Sequence, residues 1–313
     1  MRPIVWTLCS LSVIVATAAT QSTVRRVPLQ RAALAMVSPS TYRMGERLNP
    51  KTGQVQTYDP KPRVVTVDAP RGLVLLTWIG VDGKTKTITY QRPDAIDVVV
   101  RADALHVDSG TLHYTYDLEI LRSSGEYLSS FVVQAFAKDL EPVRQTALYV
   151  GRMNAREFSD GQWTYFGAPE SSPLNPGRRI RYQLRSSVGP GLVSCRVAGG
   201  PLAHEGAGEE MPAELSALLP GYKAWPQGYT IGPDDRLASL SPAQRALKLL
   251  EWLPEFERLG WMTAERRRHY NAGVRGGDLR ALATEAEADL RAERITTEVR
   301  AILQGFVAAL PKR

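Results

Sequence analysis

The chain has 313 residues, 43% of them hydrophobic and 23% charged, with a formal net charge of +7. These proportions exclude wholesale disorder, and the length suits about two ordinary domains, each able to bury a core. The only cysteines are Cys9 and Cys195, which excludes a small disulfide-stapled scaffold.

Arg2 is followed by the apolar residues Ile4, Val5, Trp6, Leu8, Leu11, Val13, Ile14 and Val15, and then by Ala16-Thr17-Ala18-Ala19-Thr20. A single early charge, an apolar core and a small-residue end are the layout of a secretory signal peptide over 1–20. The apolar part falls short of the ~20 residues that span a bilayer comfortably. The expected mature protein is therefore secreted, extracellular or periplasmic. Losing Arg2 takes its side-chain charge from +7 to +6, and losing Cys9 leaves Cys195 as its one thiol. No second long apolar run follows, so no transmembrane segment is expected after leader removal.

Residues 21–63 mix Pro, Ser, Thr, Arg and Lys without a period, as in Ser38-Pro39-Ser40 and Asp59-Pro60-Lys61-Pro62, and read as a loosely ordered N-terminal arm. From 64 to 200 short runs rich in Val, Ile, Thr and Tyr alternate with turn clusters, which predicts an all-β sandwich. Thr77-Trp78-Ile79-Gly80-Val81, Asp82-Gly83 and the run 84–90 read as a hairpin, since Asp-Gly tolerates the positive φ of a type I′ turn. In 111–121 the residues Leu112, Tyr114, Tyr116, Leu118 and Ile120 fall on one face, and Thr111, His113, Thr115, Asp117 and Glu119 on the other. Further strands are predicted over 95–101, 127–136, 146–150, 162–166, 179–186 and 192–197, enough for two packed sheets.

Past Gly199-Gly200-Pro201 the strand pattern stops, and 201–239 reads as a linker carrying Tyr222, Trp225 and Tyr229. A small helical domain is expected over 240–311, as a bundle or hairpin. Ser241-Pro242-Ala243-Gln244 supplies an N-cap, a first-turn proline and a capping-box glutamine. Pro254 is expected to kink that helix or to start a new turn. Thr263, Asp278 and Thr296 or Thr297 read as the caps of three more, the third helix with Leu282, Ala286 and Leu290 on one face and the fourth with a stripe of Val299, Ile302, Leu303, Phe306 and Leu310. No internal sequence repeat stands out.

The motifs of serine-hydrolase elbows, zinc proteases, Walker loops, dinucleotide folds and calcium loops are all missing. His106, His113, His204 and His269 never fall at metal-ligand spacing, so no catalytic residue, cofactor or metal site is expected. Cys195 lies on one strand face with Val193 and Val197 and reads as a buried, inert thiol. Asp117 and Glu119 share a strand face roughly 7 Å apart, a spacing seen in sugar hydrolysis and also in ordinary surface strands. Trp163 and Tyr165 are candidates for stacking on a sugar ring, or core aromatics.

On 179–185 the arginines Arg179, Arg181 and Arg185 face one way and the apolar residues the other. Arg196 extends the patch if Gly189-Pro190-Gly191 folds the next strand beside this one. Such a stripe binds sulfate, phosphate or uronate groups bidentately, or it is a solvated face that resists edge pairing. Partners consistent with it are an anionic polysaccharide or another envelope protein. Nucleic acid is not expected: the one short basic run, Arg266-Arg267-Arg268, reads as a solvated helix face.

With Leu112-His113-Tyr114-Thr115-Tyr116-Asp117-Leu118, Asn175-Pro176-Gly177-Arg178-Arg179-Ile180 and Gly189-Pro190-Gly191, the chain resembles a loose group of uncharacterised secreted bacterial β-sandwich proteins. Its tail is similar to the helical FIMAH and FIVAR-like modules of extracellular proteins, on Leu259-Gly260-Trp261-Met262, Gly277-Asp278-Leu279 and Ile295-Thr296-Thr297-Glu298. That resemblance implies a non-catalytic stalk or surface-interaction role. The expected protein is a secreted binding or structural one at the envelope or outside the cell; a carbohydrate-active hydrolase, a carbohydrate-binding accessory and a subunit of an envelope assembly are the alternatives.

Overall fold

A computed structural model describes residues 24–30, 45–48, 55–58, 63–68, 73–79, 84–91, 93–108, 110–143, 150–152, 163–167, 174–200 and 225–309. The expected leader, most of the expected linker and the Asp82-Gly83 turn lie outside these. Antiparallel sheets come first and helices follow, as the sequence predicts.

Strands β1 (Gly45–Leu48) and β2 (Val55–Tyr58) pair, so part of the expected arm is a hairpin. Strands β3 (Arg63–Asp68), β4 (Leu73–Ile79) and β5 (Thr85–Gln91) form a three-stranded meander. Its β4–β5 pair is the expected hairpin, with Trp78 opposite Lys86 and Ile79 opposite Thr85.

The sandwich begins at β6 (Val98–Asp108) and β7 (Thr111–Ile120). Then come β8 (Leu128–Gln134), β9 (Glu141–Pro142), β10 (Val150–Arg152) and β11 (Trp163–Gly167), and after them β12 (Arg179–Ser186), β13 (Pro190–Gly199) and β14 (Gln227–Pro233). One sheet has the order β6-β7-β12-β9, the other β10-β11-β8-β13-β14. Alternation sets the inner faces: Tyr116 and Tyr182 of the first sheet meet Phe131 and Phe166 of the second, all four fully buried. Their ring centroids lie 5.0–6.0 Å apart, within the range of favourable aromatic pairs.

Two expectations about this region are corrected. The strand β14 lies inside the segment expected as a linker, because β13 has a vacant edge that residues 227–233 fill in antiparallel register. The turn after β12 does not fold β13 beside it. Strand β12 already has β7 and β9 as neighbours. Asp139 accepts from the Ser186 hydroxyl and the Ser187 N–H, both at 2.6 Å, as the chain crosses to the other sheet.

Among the described residues four α-helices follow: α1 (Pro242–Arg258), α2 (Ala264–Arg275), α3 (Leu279–Arg291) and α4 (Thr297–Ala308). The Ser241–Gln244 capping box forms as read from the sequence, and Thr263 and Asp278 cap α2 and α3. Helix α1 runs through Pro254 to Arg258. Helix α4 departs from a single apolar stripe: residues 298–303 are all buried, because α4 packs against α3 on one side and against β6, β13 and β14 on the other. Sandwich and helices therefore share one continuous apolar core.

The helices also contain a structural repeat, although no internal repeat stands out in the sequence. The loop Gly260-Trp261-Met262-Thr263 after α1 matches Glu293-Arg294-Ile295-Thr296 after α3, a shift of 33 residues. Gly260 has φ +68° and Glu293 φ +53°, so each loop turns through one left-handed residue. Trp261 N–H bonds the Phe256 carbonyl and Arg294 N–H the Asp289 carbonyl, again 33 residues apart. The loops pair reciprocally, Thr263 N–H to the Arg294 carbonyl and Thr296 N–H to the Trp261 carbonyl. The two loops share their hydrogen bonds and a left-handed first residue but only the closing threonine in sequence, which explains why composition gave no sign of the repeat. No helix among the described residues is long and apolar enough to cross a membrane.

Candidate functional site

The outer face of the β6-β7-β12-β9 sheet is a grid of charge. Pairing register places Val99, Glu119 and Arg179 in one row, and Arg101, Asp117 and Arg181 in the next. Asp103, Thr115 and Gln183 form the third row, and Leu105, His113, Arg185 and Glu141 the fourth. Period-two alternation puts every one of these residues on the same side.

Cross-strand partners then decide the electrostatics. Arg181 grips Asp117 with two bonds, Nε to Oδ1 at 2.6 Å and Nη2 to Oδ2 at 2.9 Å. Glu119 Oε2 accepts from Arg179 at 3.0 Å and from Arg101 at 3.1 Å. The hydrogen bond from Arg181 to Asp117 holds the guanidinium above its ordinary pKa. Partial burial lowers the pKa of His113, and the facing Arg185 lowers it further, so the imidazole is neutral at pH 7.

Two adjoining hollows lie on this face. One, about 540 Å³, is lined by Arg101, Asp117, Glu119, Arg179 and Arg181. The other, about 700 Å³, runs between the sheet and the residues Arg26, Glu293 and Thr297. At its floor Asp103 accepts from Arg300 at 2.5 Å. Burial raises the pKa of Asp103, and the Arg300 charge opposes that rise.

No protein-family model matches this chain, and neither does any curated protein.

Arg179, Arg181 and Arg185 are thus brought together on one open face, but the first two have carboxylate partners, so this is a salt-bridge ladder and not a bare cationic stripe. Arg196 does not extend it. It belongs to β13 in the other sheet, where its guanidinium lies 5.1 Å from the centre of the Trp163 ring. Trp163 is 2% exposed and packs with Val132, Ala198 and Trp225. Tyr165 packs against that cluster, and its hydroxyl shares a hydrogen bond with Ser130 at 2.8 Å. A sheet face that carries its own apolar cover leaves Trp163 no ring surface for a sugar.

Cys195 is fully buried between the sheets, and burial pushes its thiol well above the ordinary value. Of the basic triplet, Arg266 is not a solvated residue: it turns inward to Asp289 at 2.5 Å, and Arg267 pairs with Glu257. Among the described residues no three His, Cys, Asp or Glu side chains gather as metal ligands. Arg101, Asp103 and Arg300 also belong to this charged face and were not among the residues expected there. The alternation of Arg101 and Asp103 with Ala102 and Ala104 carried a signal for the first two, but Arg300 is set by tertiary packing alone.

Proposed function

We propose that this is an exported, non-catalytic binding protein of the cell envelope or extracellular space, and that it engages a partner protein through the outer face of the four-stranded sheet. The observation that carries the reading is the commitment of Asp117 and Glu119 to arginines. A carboxylate already serving as the counter-ion of a guanidinium is a poor general acid or base, whereas a ladder of alternating charge complements another polar protein surface. The same commitment disfavours an anionic polysaccharide, which would have to compete with the ladder's own acids for Arg179 and Arg181. The resemblance of the tail to FIMAH and FIVAR-like modules supports an interaction role, and the apolar run over 1–20 supports export.

A photo-crosslinking residue at Thr115, at the centre of the face, tests this in the native envelope fraction. A discrete protein adduct is expected. It should disappear in the swapped pair Asp117→Arg with Arg181→Asp, which keeps the salt bridge and inverts the pattern. An adduct indifferent to the swap, or cleavage of envelope glycans by the purified chain, would overturn the reading.

A further inference from the structure

A cavity of about 450 Å³ lies between the crossover turn after β12, the start of α1 and the end of α4. Its wall is mainly apolar, with Val188, Pro190, Leu237 and Phe306. Arg245 also lines it, although this arginine is only 6% exposed. Its Nη2 donates to the Ala238 carbonyl at 3.2 Å, and its Nε has no hydrogen-bond partner.

Arg26, Arg266 and Arg300, also largely buried, likewise leave Nε without a hydrogen-bond partner, but each meets a carboxylate. Arg26 meets Glu298 at 2.6 Å, Arg266 meets Asp289 at 2.5 Å and Arg300 meets Asp103 at 2.5 Å. Arg245 has no ion-pair partner among the described residues. The one carboxylate among the described residues of the cavity wall, Asp234, is occupied by Arg236 through two bonds of 2.7 Å. A desolvated guanidinium without a counter-ion is costly, and an anion entering the cavity relieves that cost.

We propose that this cavity binds a small monocarboxylate with an apolar tail. The carboxylate sits on Arg245 and the tail lies against Leu237 and Phe306. The size falls within the range of small-molecule sites, and one charged group without a counter-ion in a mainly apolar wall fixes the orientation of such a ligand. This site is separate from the charged sheet face and does not depend on the function proposed for it.

Calorimetric titration of the whole chain with sodium octanoate, and with octanol as the uncharged control, tests the assignment. Octanoate should bind the native protein at least about tenfold more tightly than it binds Arg245→Met, as expected for loss of a charge-assisted hydrogen bond. Octanol should not reproduce the binding. Ala309→Trp, which narrows the cavity and leaves the guanidinium in place, should weaken octanoate as well and serves if Arg245→Met does not fold. Equal binding to the native chain and to either variant, equal binding of octanol, or no octanoate binding up to roughly 10 mM would each overturn the proposal.

Discussion

The carboxylate of Glu298, near the start of α4, accepts the backbone N–H of Ala102 at 2.6 Å from 196 residues along the chain. Beside it the Thr297 hydroxyl donates to the Ala102 carbonyl at 2.8 Å. Ala102 lies on β6, at the edge of its sheet, where a backbone N–H and C=O would otherwise point at an open side. Two side chains from a helix terminus supply the bonds that another strand would make, which joins the helices to the sandwich and closes the edge to foreign strands. Arg26 completes the arrangement by donating to Glu298 Oε2 at 2.6 Å.

Replacing Glu298 with alanine leaves a buried N–H without its acceptor and the largely buried Arg26 guanidinium without its counter-ion. A loss of about 3 kcal/mol is expected in urea unfolding. Glu298→Gln, which keeps an acceptor for Ala102, should lose less.

Gly260 turns at φ +68°, and a Cβ there would fall 1.8 Å from the Arg25 carbonyl oxygen. The segment 24–30 lies over that loop and is bonded to β6, β14 and both helix loops, as when Leu29 N–H meets the Val98 carbonyl at 3.0 Å. Part of the expected arm is thus a strap. Gly260→Ala should cost about 2 kcal/mol or more and speed proteolysis within 24–30, read by mass spectrometry of limited digests.

Asp139 gives a pH test. Burial pushes its carboxyl up, but the bonds from Ser186 and Ser187 outweigh it and hold the pKa below the ordinary 3.8. A carboxyl lowered in the folded state contributes stability above 3.8 and loses it as pH falls through the lower folded value. The stability gap between the native chain and Asp139→Asn should be constant above about pH 5 and close at more acidic pH.

The Arg181–Asp117 bridge is exposed, so its coupling in a double-mutant cycle should be about 0.5 kcal/mol and should fade at high salt. A large, salt-insensitive coupling would show that the ladder holds the fold together rather than presenting a surface.

Cys195 should not react with an aromatic disulfide reagent in a folded Cys9→Ser chain, and should react fully in denaturant. Its full burial and raised pKa withhold the thiolate that attacks the reagent.

Much of the fold was legible because its signals are local. The alternation of 111–121 predicted β7 and its buried face, 179–186 predicted β12, and Ser241, Thr263 and Asp278 marked the starts of three helices. The candidate site was half legible. Period two placed Arg179, Arg181 and Arg185 on one face, but their charge balance depends on which strand lies alongside, and the order β7-β12-β9 is written in no short stretch of sequence.

What the sequence by itself determined is therefore the set of elements, their caps and their inward faces, since backbone periodicity and capping act over a few residues. Only the tertiary structure decided that β13 crosses to the second sheet and takes Arg196 with it, that Trp225 packs on Trp163, and that Arg245 lines a cavity whose carboxylate, Asp234, is committed to Arg236. Each of these is a pairing between distant segments, where burial and the need to satisfy backbone and charged groups choose the neighbour.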